Sequence, residues 1–379
     1  MTKRFLYVYE FADKAGLPLS KKADTLWGYS QQYLQEMNPS VEIKTASGFF
    51  ADRRENGFAF RRLFNFVYMH ICAPFEILRS KADVVFVRST PPLIQITYAF
   101  WAMLLRRKKI FWLMDYHPVF GVRTTKRGSF INFIWRVLDK IDKFFLKKFD
   151  LVVCLDEAMQ ELVKERAPNV ETFVCPTFSL QNPQWLDLAK KGEANDPVRL
   201  LYNGNLGRAH STENLKIFLK ELVKLKSVEF CYCGESKYAK ETFKNMCREC
   251  NAEFKTFGFV KDYNALGEFY RQNAFDYGVV LLNDELKGVV SPSKFSGYTS
   301  FGLPVIYLGP SGTNAHFVCQ KSGAGICAEN PEQIMDAAQK ASLFKTQKSC
   351  AEATKQTIRY FSPNVAQKLA VKLAEFCGK

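Results

Sequence analysis

A turn-like segment at residues 203–210 combines residue types that bind phosphate groups. Its two glycines, Gly204 and Gly207, permit a tight turn and a close approach of the backbone to a ligand. Arg208 adds a planar charged donor group, and Ser211 is a good N-cap for a helix whose free N–H groups favour an anion. The anion-binding residues expected here are Gly204, Asn205, Leu206, Gly207, Arg208 and His210. The alternative is an ordinary strand–helix turn with a surface arginine.

A second segment, at residues 290–309, predicts another anion site of the same type. Ser291 is a natural N-cap and Pro292 a natural first helical residue, which places Ser293 and Lys294 in the first turn. The Lys294 ammonium and the positive end of the helix would face outward together. Two such sites suit a diphosphate better than a single phosphate. A capped helix with a solvated lysine is the alternative.

Two further turns are weaker candidates for the same ligand. Gly258 closes a predicted strand. The loop at residues 309–314 opens another helix and offers Gly312, Thr313 and Asn314 to a phosphate or a sugar. A flexible connection explains that loop equally well.

In the N-terminal half, Asp115 and His117 are the most informative polar residues. They follow an apolar strand-like run and precede Pro118. They therefore lie at the carboxyl end of a predicted strand, where ligands of open α/β sheets bind. His117 is suited to hydrogen-bond a hydroxylated substrate, and Asp115 to orient or deprotonate a hydroxyl group. The alternative is a structural pair that closes a turn.

The cysteine pattern resembles a zinc site only loosely. Cys231 and Cys233 alternate along a predicted strand, whereas Cys247 and Cys250 lie on a predicted helix. The chain has 11 cysteines, an odd and scattered set, which indicates reduced thiols in a cytosolic protein. We therefore expect structural cysteines, no metal site and no cofactor.

Positive charge is concentrated in one part of the chain. The net charge is +15, and residues 53–150 hold 19 Lys and Arg against seven Asp and Glu, which accounts for 12 of these charges. Residues 129–148 predict an amphipathic helix, capped by Ser129, that carries a basic stripe beside Leu, Ile and Phe. Such surfaces bind anionic membranes. The residues expected to contact the membrane or a membrane-bound substrate are Arg61, Arg62, Arg106, Arg107, Arg136, Lys140, Lys143 and Lys147.

Two alternatives to membrane binding stay open. Nucleic acid would be attracted by the same charges, although no nucleic-acid-binding motif is present. The other alternative is a helix buried by its apolar face, with a solvated charged face. The residues of that apolar face are Ile134, Leu138, Ile141 and Phe145.

The elements that must position these residues alternate between strand-like and helix-like patterns, which predicts parallel sheets with helices on both faces. The polar segment at residues 181–197 contains Pro183, Gly192 and Pro197 and interrupts this alternation. We therefore predict two Rossmann-like α/β domains. They are an N-terminal domain at residues 1–180, expected to contact the membrane and a membrane-bound substrate, and, after a linker at 181–197, an anion-binding domain at 198–360. A helix at 361–379 is expected to pack back on the first domain.

No segment predicts a membrane span or a signal peptide. The apolar run at residues 5–9 is too short for a signal peptide and predicts a first strand. The longest nearly apolar stretch, residues 91–105, is too short to cross a bilayer comfortably. We expect a cytoplasmic protein that is peripheral on the inner face of the cell membrane.

Taken together, these motifs resemble bacterial family-4 glycosyltransferases. Residues 203–210 are similar to their GNLGRAH-type turn, and residues 291–294, 302–306 and 309–310 are similar to their PSK…G.PVI…GP segment. The resemblance spans most of the predicted C-terminal domain, whereas the N-terminal half matches in layout. It implies the GT-B fold, in which two Rossmann-like domains with parallel sheets face each other across a cleft.

The resemblance implies a retaining, metal-independent hexosyltransferase that uses a nucleoside-diphosphate sugar, with UDP-sugar favoured. Arg208 and Lys294 would stabilise the departing diphosphate, and Asp115 and His117 would act on the sugar or the acceptor. Many relatives transfer to lipid-linked saccharides at the inner membrane face in polysaccharide synthesis. Many also carry two glutamates, the second of which holds the donor ribose. Val289 and Gly297 occupy those positions here, so ribose recognition must differ.

Two other functions are compatible with the motifs. A sugar-nucleotide epimerase on the same fold would consume its substrate without any acceptor. A non-catalytic protein that binds membranes or nucleic acid would use the basic surface and would not bind sugar nucleotides.

Overall fold

The computed structural model describes residues 2–10, 25–50, 58–177, 197–260, 263–343 and 364–378. The chain forms two compact units. The first unit comprises Met1–Phe178, Gly288–Ser291 and Pro363–Lys379, and the second comprises Ser179–Lys287 and Pro292–Ser362. The linker expected at residues 181–197 lies outside the described residues, apart from Pro197.

The first unit is built on a sheet of six parallel strands in the order β2-β1-β3-β4-β5-β6. Its strands are β1 (Lys3–Val8), β2 (Val41–Ala46), β3 (Val84–Arg88), β4 (Lys108–Trp112), β5 (Leu151–Cys154) and β6 (Glu171–Val174). Its helices are α1 (Thr25–Met37), α2 (Phe58–Ser80), α3 (Ile94–Leu104), α4 (His117–Thr124), α5 (Phe130–Leu146), α6 (Glu157–Arg166) and the C-terminal α13 (Asn364–Gly378).

The second unit contains another sheet of six parallel strands, in the order β12-β11-β10-β7-β8-β9. Its strands are β7 (Val198–Asn203), β8 (Val228–Cys233), β9 (Glu253–Phe257), β10 (Tyr277–Leu281), β11 (Val305–Leu308) and β12 (Gly325–Ala328). Its helices are α7 (Thr212–Leu225), α8 (Lys237–Cys250), α9 (Tyr263–Asn273), α10 (Lys294–Thr299), α11 (Asn314–Ser322) and α12 (Pro331–Leu343).

The central strands of both sheets are buried on both faces, which explains their apolar sequences. All residues of β5, β8, β10 and β11 are buried. Parallel strands with helices on both faces have this composition. In each unit the carboxyl ends of the strands carry the turns that hold most of the candidate functional residues.

The C-terminal helix α13 belongs to the first unit, where it packs against α1. Lys372 of α13 forms an ion pair with Glu171 on the edge strand β6. The inner face of α13 is apolar, with Ala366, Leu369 and Leu373 fully buried. No helix in the described ranges is both long enough and apolar enough to cross a membrane.

Candidate anion site and the residues around His117

The turn between β7 and α7 has the geometry expected of an anion-binding turn. Gly204 adopts a φ of +102°, which favours glycine. The hydroxyl of the buried Tyr202 donates to the carbonyl oxygen of Asn205 at 3.0 Å and so fixes the turn from below. Ser211 caps α7, as predicted, since its Oγ accepts the backbone N–H of Asn214 at 3.3 Å. The first N–H groups of a 14-residue helix follow this turn.

The prediction that Ser291 caps a helix beginning at Pro292 is wrong. Helix α10 begins at Lys294 and is only six residues long. Val290 instead forms an antiparallel bridge with Asp115, and the segment up to Ser291 belongs to the first unit. The chain is extended at Val290, and the helix begins two residues later than predicted. Ser293 takes the N-cap position but makes no capping hydrogen bond through its side chain.

Lys294 does not point outward from its helix as expected. Its Nζ lies 3.1 Å from the carbonyl oxygen of Asn205, 3.2 Å from the hydroxyl of Tyr202 and 3.2 Å from Nε2 of His210. Its side chain also passes close to Gly204, where an added Cβ would lie 3.5 Å from Lys294 Cε. The two predicted anion sites are therefore one site, in which Lys294 reaches back to the β7–α7 turn.

The electrostatics of this site favour an anionic ligand. The three hydrogen-bond partners of the Lys294 ammonium are uncharged, and burial lowers the pKa of Lys294 to about 8. Burial and the neighbouring Lys294 lower the pKa of His210 to about 4, so His210 is neutral at pH 7. Nε2 of His210 faces Lys294, while Nδ1 lies 2.8 Å from the backbone nitrogen of Gly207 and 3.1 Å from its carbonyl oxygen. An anion bound here would give the Lys294 ammonium a negatively charged partner, which none of its three hydrogen-bond partners provides.

Asn283, which the sequence analysis did not identify, holds the same turn from the neighbouring strand. It follows β10, and its backbone N–H donates to Ala209 O at 2.8 Å. Its side-chain Nδ2 donates to Arg208 O at 2.7 Å. The Arg208 side chain is exposed and forms no ion pair with any described residue, so it is available to a ligand. The sequence feature that could have identified Asn283 is its place as a polar residue at the end of an apolar strand.

The weaker candidates lie at the ends of other strands of the second sheet. Gly258 follows the edge strand β9, and the loop with Gly312 follows β11, so each is two strands from β7. Thr313 caps α11, because its Oγ accepts the N–H of His316 at 3.3 Å. Both Thr313 and Asn314 are buried. This capping hydrogen bond is enough to explain a threonine at position 313, so a bound ligand is not needed to explain it.

The two positions that match the relatives' glutamates, Val289 and Gly297, differ in their surroundings. Val289 is buried in the first unit, where its carbonyl oxygen accepts the N–H of Tyr116 at 2.9 Å. Gly297 lies within α10, and a Cβ added there would meet no atom within 4 Å. The space at Gly297 is open, although the chain supplies no carboxylate at that position.

In the first unit, Asp115 and His117 follow β4, as expected for residues at a strand's carboxyl end. Ser89 at the end of β3 holds this segment, since its Oγ accepts the N–H of Met114 at 2.9 Å. Burial lowers the pKa of His117, and the neighbouring Asp115 opposes this shift. Desolvation raises the pKa of Asp115, while His117 and Arg88 oppose it.

Arg62 lies near His117 in the first unit, and Arg88 lies near Asp115. The Arg62 charge contributes to the lowered pKa of His117, and Arg62 Nε lies 3.7 Å from Oε1 of the buried Glu10. The Arg88 guanidinium stacks over the ring of Tyr9 at 4.5 Å. Arg62, one of the residues expected to contact a membrane, also lies beside Glu10 and near His117.

Helix α5 exposes its apolar residues instead of burying them. Its buried residues are Asn132, Asp142 and Leu146. Ile134 and Ile141 are each 40% exposed, so the alternative of a buried apolar face is wrong for them. Leu138 and Phe145 are half-buried. The large exposed apolar residues of α5 are Phe130, Ile131, Phe133, Ile134, Val137, Ile141 and Phe144.

Helices α2 and α3 add to this exposed apolar surface, and α3 packs against both α2 and α5. Their exposed apolar residues are Phe60, Leu63, Phe64, Val67, Ile71, Phe75, Leu78, Phe100, Met103 and Leu104. Of the basic residues predicted beside it, those that are exposed are Arg62, Arg106, Arg136, Lys140, Lys143 and Lys147. Arg61 and Arg107 are half-buried. We call the exposed apolar residues of α2, α3 and α5 the apolar face.

The cysteines of the second unit belong to its core. Cys231, Cys233, Cys247 and Cys250 are all buried, and Cys247 and Cys250 pack in the main apolar cluster. Burial raises the pKa of Cys247 to about 12. The parts of the chain that the structure describes contain no group of three or more His, Cys, Asp or Glu residues arranged to hold a metal ion.

Comparison with known proteins gives matches at the level of structure alone. No protein-family model matches the chain, and no curated protein sequence matches it. The chain superposes on Anabaena HepE, solved with UDP and glucose, with a TM-score of 0.61 and 11% identity, covering 98% of this chain and 100% of HepE. It superposes on sucrose-phosphate synthase from Thermosynechococcus elongatus with a TM-score of 0.60 and 11% identity, covering 100% of both chains.

A third solved structure gives the same result. The lipopolysaccharide outer core galactosyltransferase WaaB superposes with a TM-score of 0.62 and 11% identity, covering 99% of this chain and 100% of WaaB. At such identities the likeness concerns the fold. The chain therefore has the α/β architecture of GT-B proteins, with two Rossmann-like domains.

Proposed function

We propose that the chain is a glycosyltransferase that takes a sugar from a nucleoside-diphosphate sugar, with UDP-sugar favoured. The observation that carries this proposal is the Lys294 ammonium, which is hydrogen-bonded to neutral groups beside the Gly204 turn. A diphosphate at this turn would bind Lys294 and the first N–H groups of α7. Its exposed neighbour Arg208 would add a second cation.

These groups also suit the chemistry of transfer. Negative charge develops on the diphosphate as the bond to the sugar breaks, and preorganised cations stabilise that charge in the transition state. Lys294 and Arg208 would supply this stabilisation, which makes a metal ion unnecessary. His117 and Asp115 of the first unit would bind the sugar or the acceptor hydroxyl. We accordingly expect turnover to persist in the presence of a strong chelator.

Retention of configuration is part of the proposal and rests on the family-4 resemblance of residues 203–210 and 291–294. The choice of UDP draws on the same resemblance and on HepE, whose structures hold UDP and glucose. Proton NMR of the newly formed product would give the anomeric configuration directly. A product with inverted configuration would contradict this part of the proposal.

We further propose that the acceptor is a lipid-linked saccharide of bacterial surface polysaccharide or glycan synthesis, and that the protein binds an anionic membrane peripherally. The apolar face with its exposed basic residues supports this proposal. Apolar side chains enter the boundary between headgroups and acyl chains, while neighbouring Lys and Arg attract anionic lipids. A nucleic acid would leave the exposed Phe and Ile residues without a partner.

The Lys294→Met variant tests the donor site. Charge-assisted hydrogen bonds contribute about 1.5–3 kcal/mol, so we expect UDP affinity to fall roughly 10- to 100-fold in isothermal titration calorimetry. The matched control is Lys340→Met, which removes an exposed lysine of the same unit that pairs with Asp336. Equal UDP affinity in the two variants would overturn the assignment of the site.

Incubating the same protein sample with and without an acceptor distinguishes glycosyl transfer from epimerisation. Under our proposal, the protein forms no epimer when it is incubated with sugar nucleotide alone. When a membrane extract that contains lipid-linked acceptors is added, the protein releases UDP. Conversion of the sugar nucleotide into its epimer without acceptor would contradict glycosyl transfer and favour the epimerase.

A further inference from the structure

Helix α5 has an unusual orientation for a surface helix, with polar residues inside and apolar residues outside. Asn132 is 2% exposed and Asp142 is 1% exposed, whereas Phe133 on the opposite side is 63% exposed. Burying an amide and a carboxylate is costly unless both are hydrogen-bonded. Their partners therefore indicate what the inner side of α5 does.

The inner side of α5 holds helix α4 at both ends and in the middle. Asp142 Oδ2 accepts the hydroxyl of Tyr116, the N-cap residue of α4, at 2.7 Å. Asn132 Nδ2 donates to the carbonyl oxygen of Val122, near the last turn of α4, at 2.9 Å. Between these contacts, the Trp135 ring packs against Gly121 so closely that an added Cβ would lie 2.1 Å from it.

The Asp142 carboxylate is held in place from several directions. Gln95 Nε2 of α3 donates to Asp142 Oδ1 at 2.9 Å. Arg166 Nε of α6 donates to the Tyr116 hydroxyl at 3.0 Å, and Arg166 also binds Asp139, which lies one turn before Asp142 on α5. The Tyr116 hydroxyl and the Asp142 carboxylate would each lose a partner if α5 moved relative to α4.

His117 is the first residue of α4, and Tyr116 separates it from Asp115. The placement of both candidate site residues therefore depends on where α5 holds Tyr116. A packed helix transmits a displacement to its partners because protein interiors are close-packed. The side of α5 opposite to these contacts is part of the apolar face.

We propose that Asn132, Trp135 and Asp142 are positioning residues through which α5 sets the placement of His117, so that docking of the apolar face on an anionic membrane changes the environment of His117 and raises the transfer rate. This inference rests on the proposed function, since it assigns a regulation to that site. The membrane then acts on the rate through Tyr116 as well as concentrating the enzyme near its acceptor.

Because the chain has four histidines, the ring signal of His117 can be resolved by NMR. We would titrate the labelled rings of the full-length protein with and without lipid nanodiscs of phosphatidylcholine and phosphatidylglycerol, and assign His117 with a His117→Gln variant. Wild-type His117 should change its pKa by about half a unit on binding, because its charged neighbours Asp115 and Arg62 shift relative to its ring. His210 and His316, in the second unit, serve as internal references.

Tyr116→Phe removes only the hydroxyl that joins α4 to Asp142. We expect it to bind nanodiscs and UDP as the wild type does, to lose the nanodisc-induced change at His117, and to lower kcat in the presence of nanodiscs about tenfold with little change in KM. The matched control is Tyr98→Phe, which removes the hydroxyl of another fully buried tyrosine of the first unit. Asp142→Asn should behave like Tyr116→Phe.

The outcomes separate this inference from the proposed function. A wild-type His117 signal that is identical with and without bound nanodiscs overturns the inference, as does a Tyr116→Phe variant with the wild-type response. Failure of the wild type to bind nanodiscs or UDP instead contradicts the proposed function. In that case, a Tyr116→Phe variant whose His117 titrates as in the wild type without nanodiscs also rejects the positioning role.

Discussion

The Lys294 ammonium makes ligand binding dependent on pH in a range that is easy to measure. Its pKa in the unliganded protein is about 8, because burial disfavours the charged form. The ammonium is therefore lost as the pH rises through 8, and its attraction for a diphosphate is lost with it. We expect the Kd for UDP, measured by calorimetry, to rise about tenfold between pH 7 and pH 9.

Lys294→Arg is the control for this pH dependence. A guanidinium stays protonated throughout the range. The Kd of this variant should therefore change little between pH 7 and pH 9, whatever its absolute affinity. A wild-type Kd that is constant over this range would show that the Lys294 charge does not contribute to binding.

Gly297 offers a stability prediction at a single residue. It lies inside α10 without a positive φ, and an added Cβ would meet no neighbour within 4 Å. Alanine there should stabilise the protein by about 0.5–1 kcal/mol, because glycine loses more backbone entropy on folding. Urea denaturation at equilibrium measures this change in the free energy of unfolding.

Gly278→Ala is the matched control, since it makes the same change on the buried strand β10. An added Cβ at Gly278 would lie 2.3 Å from the Tyr298 ring. Overpacking of this kind costs about 1–3 kcal/mol. The two substitutions should therefore have opposite signs, and a loss of stability with Gly297→Ala would mean that α10 does not have the conformation described above.

At the scale of residues, the sequence predicted local features of the site but not the contacts that complete it. The Gly204 turn and the Ser211 cap depend on neighbouring residues, and both follow from sequence patterns. The direction of Lys294 depends on Tyr202 and His210, which are more than 80 positions away in the chain. The bridge between Val290 and Asp115 likewise joins residues far apart in the chain, so local sequence patterns did not predict it.

At the scale of elements, the N-terminus of α7 should bind ligand, whereas that of α8 should not. Ser211 and Ser236 cap these two helices with the same hydrogen bond, at 3.3 Å in both cases. Replacing either serine with alanine should cost about 1 kcal/mol of stability. Only Ser211→Ala should also weaken UDP binding, by roughly two- to fivefold, because it disorders the turn that receives the diphosphate. Equal UDP affinity in both variants would exclude α7 from the site.

The apolar face on α5 gives a second prediction at this scale. Phe133→Ser and Phe144→Ser remove side chains that are 63% and 53% exposed. We expect each to change the free energy of unfolding by less than about 0.5 kcal/mol. Each should lower flotation with phosphatidylglycerol vesicles severalfold, because phenylalanine loses its insertion into the interface.

Phe259→Ser is the control for these variants, because Phe259 is a 49% exposed phenylalanine of the second unit. It should leave vesicle binding unchanged. A stability loss of several kcal/mol with Phe133→Ser would indicate that the α5 residues are covered within the folded protein rather than available to a membrane.

The sequence predicted the buried strands and the periodicity of α5 better than the sheet edges and the orientation of that helix. The sequence did not predict the edge strands β2, β6 and β12. Strands β2 and β6 carry polar residues and lack a continuous apolar run, and β12 is only four residues long. The period of α5 revealed a basic stripe and an apolar stripe. It did not show that Asp142 faces inward, because that depends on Tyr116 and Gln95 in other helices.

At the scale of the whole molecule, the alternation of strands and helices was enough to predict two Rossmann-like domains. Each sheet indeed has six parallel strands, and the fold matches proteins of only 11% identity. Fold depends on the apolar pattern, which many sequences satisfy. The same tolerance explains why the fold does not specify a donor or an acceptor, which must be inferred from side chains such as Lys294 and His117.

The uneven charge of the molecule allows a test between a membrane and a nucleic acid as its anionic partner. Residues 53–150 carry 12 of the 15 net positive charges, and the apolar face lies within the same part of the chain. Electrostatic attraction to either partner weakens with salt, since the Debye length falls from about 10 Å at 0.1 M to about 3 Å at 1 M. The burial of Phe and Ile side chains in lipid does not weaken in this way.

We therefore expect vesicle binding to weaken at high salt but to persist, because the hydrophobic contribution of α5 is retained. Binding to duplex DNA, which depends on the release of counterions, should fall by roughly 10³-fold or more over a few-fold rise in salt. Flotation and fluorescence anisotropy, measured on one protein sample across a salt series, give the two curves. Equal salt dependence of the two would indicate that the apolar face does not enter the bilayer, because charge alone would then account for binding to both partners.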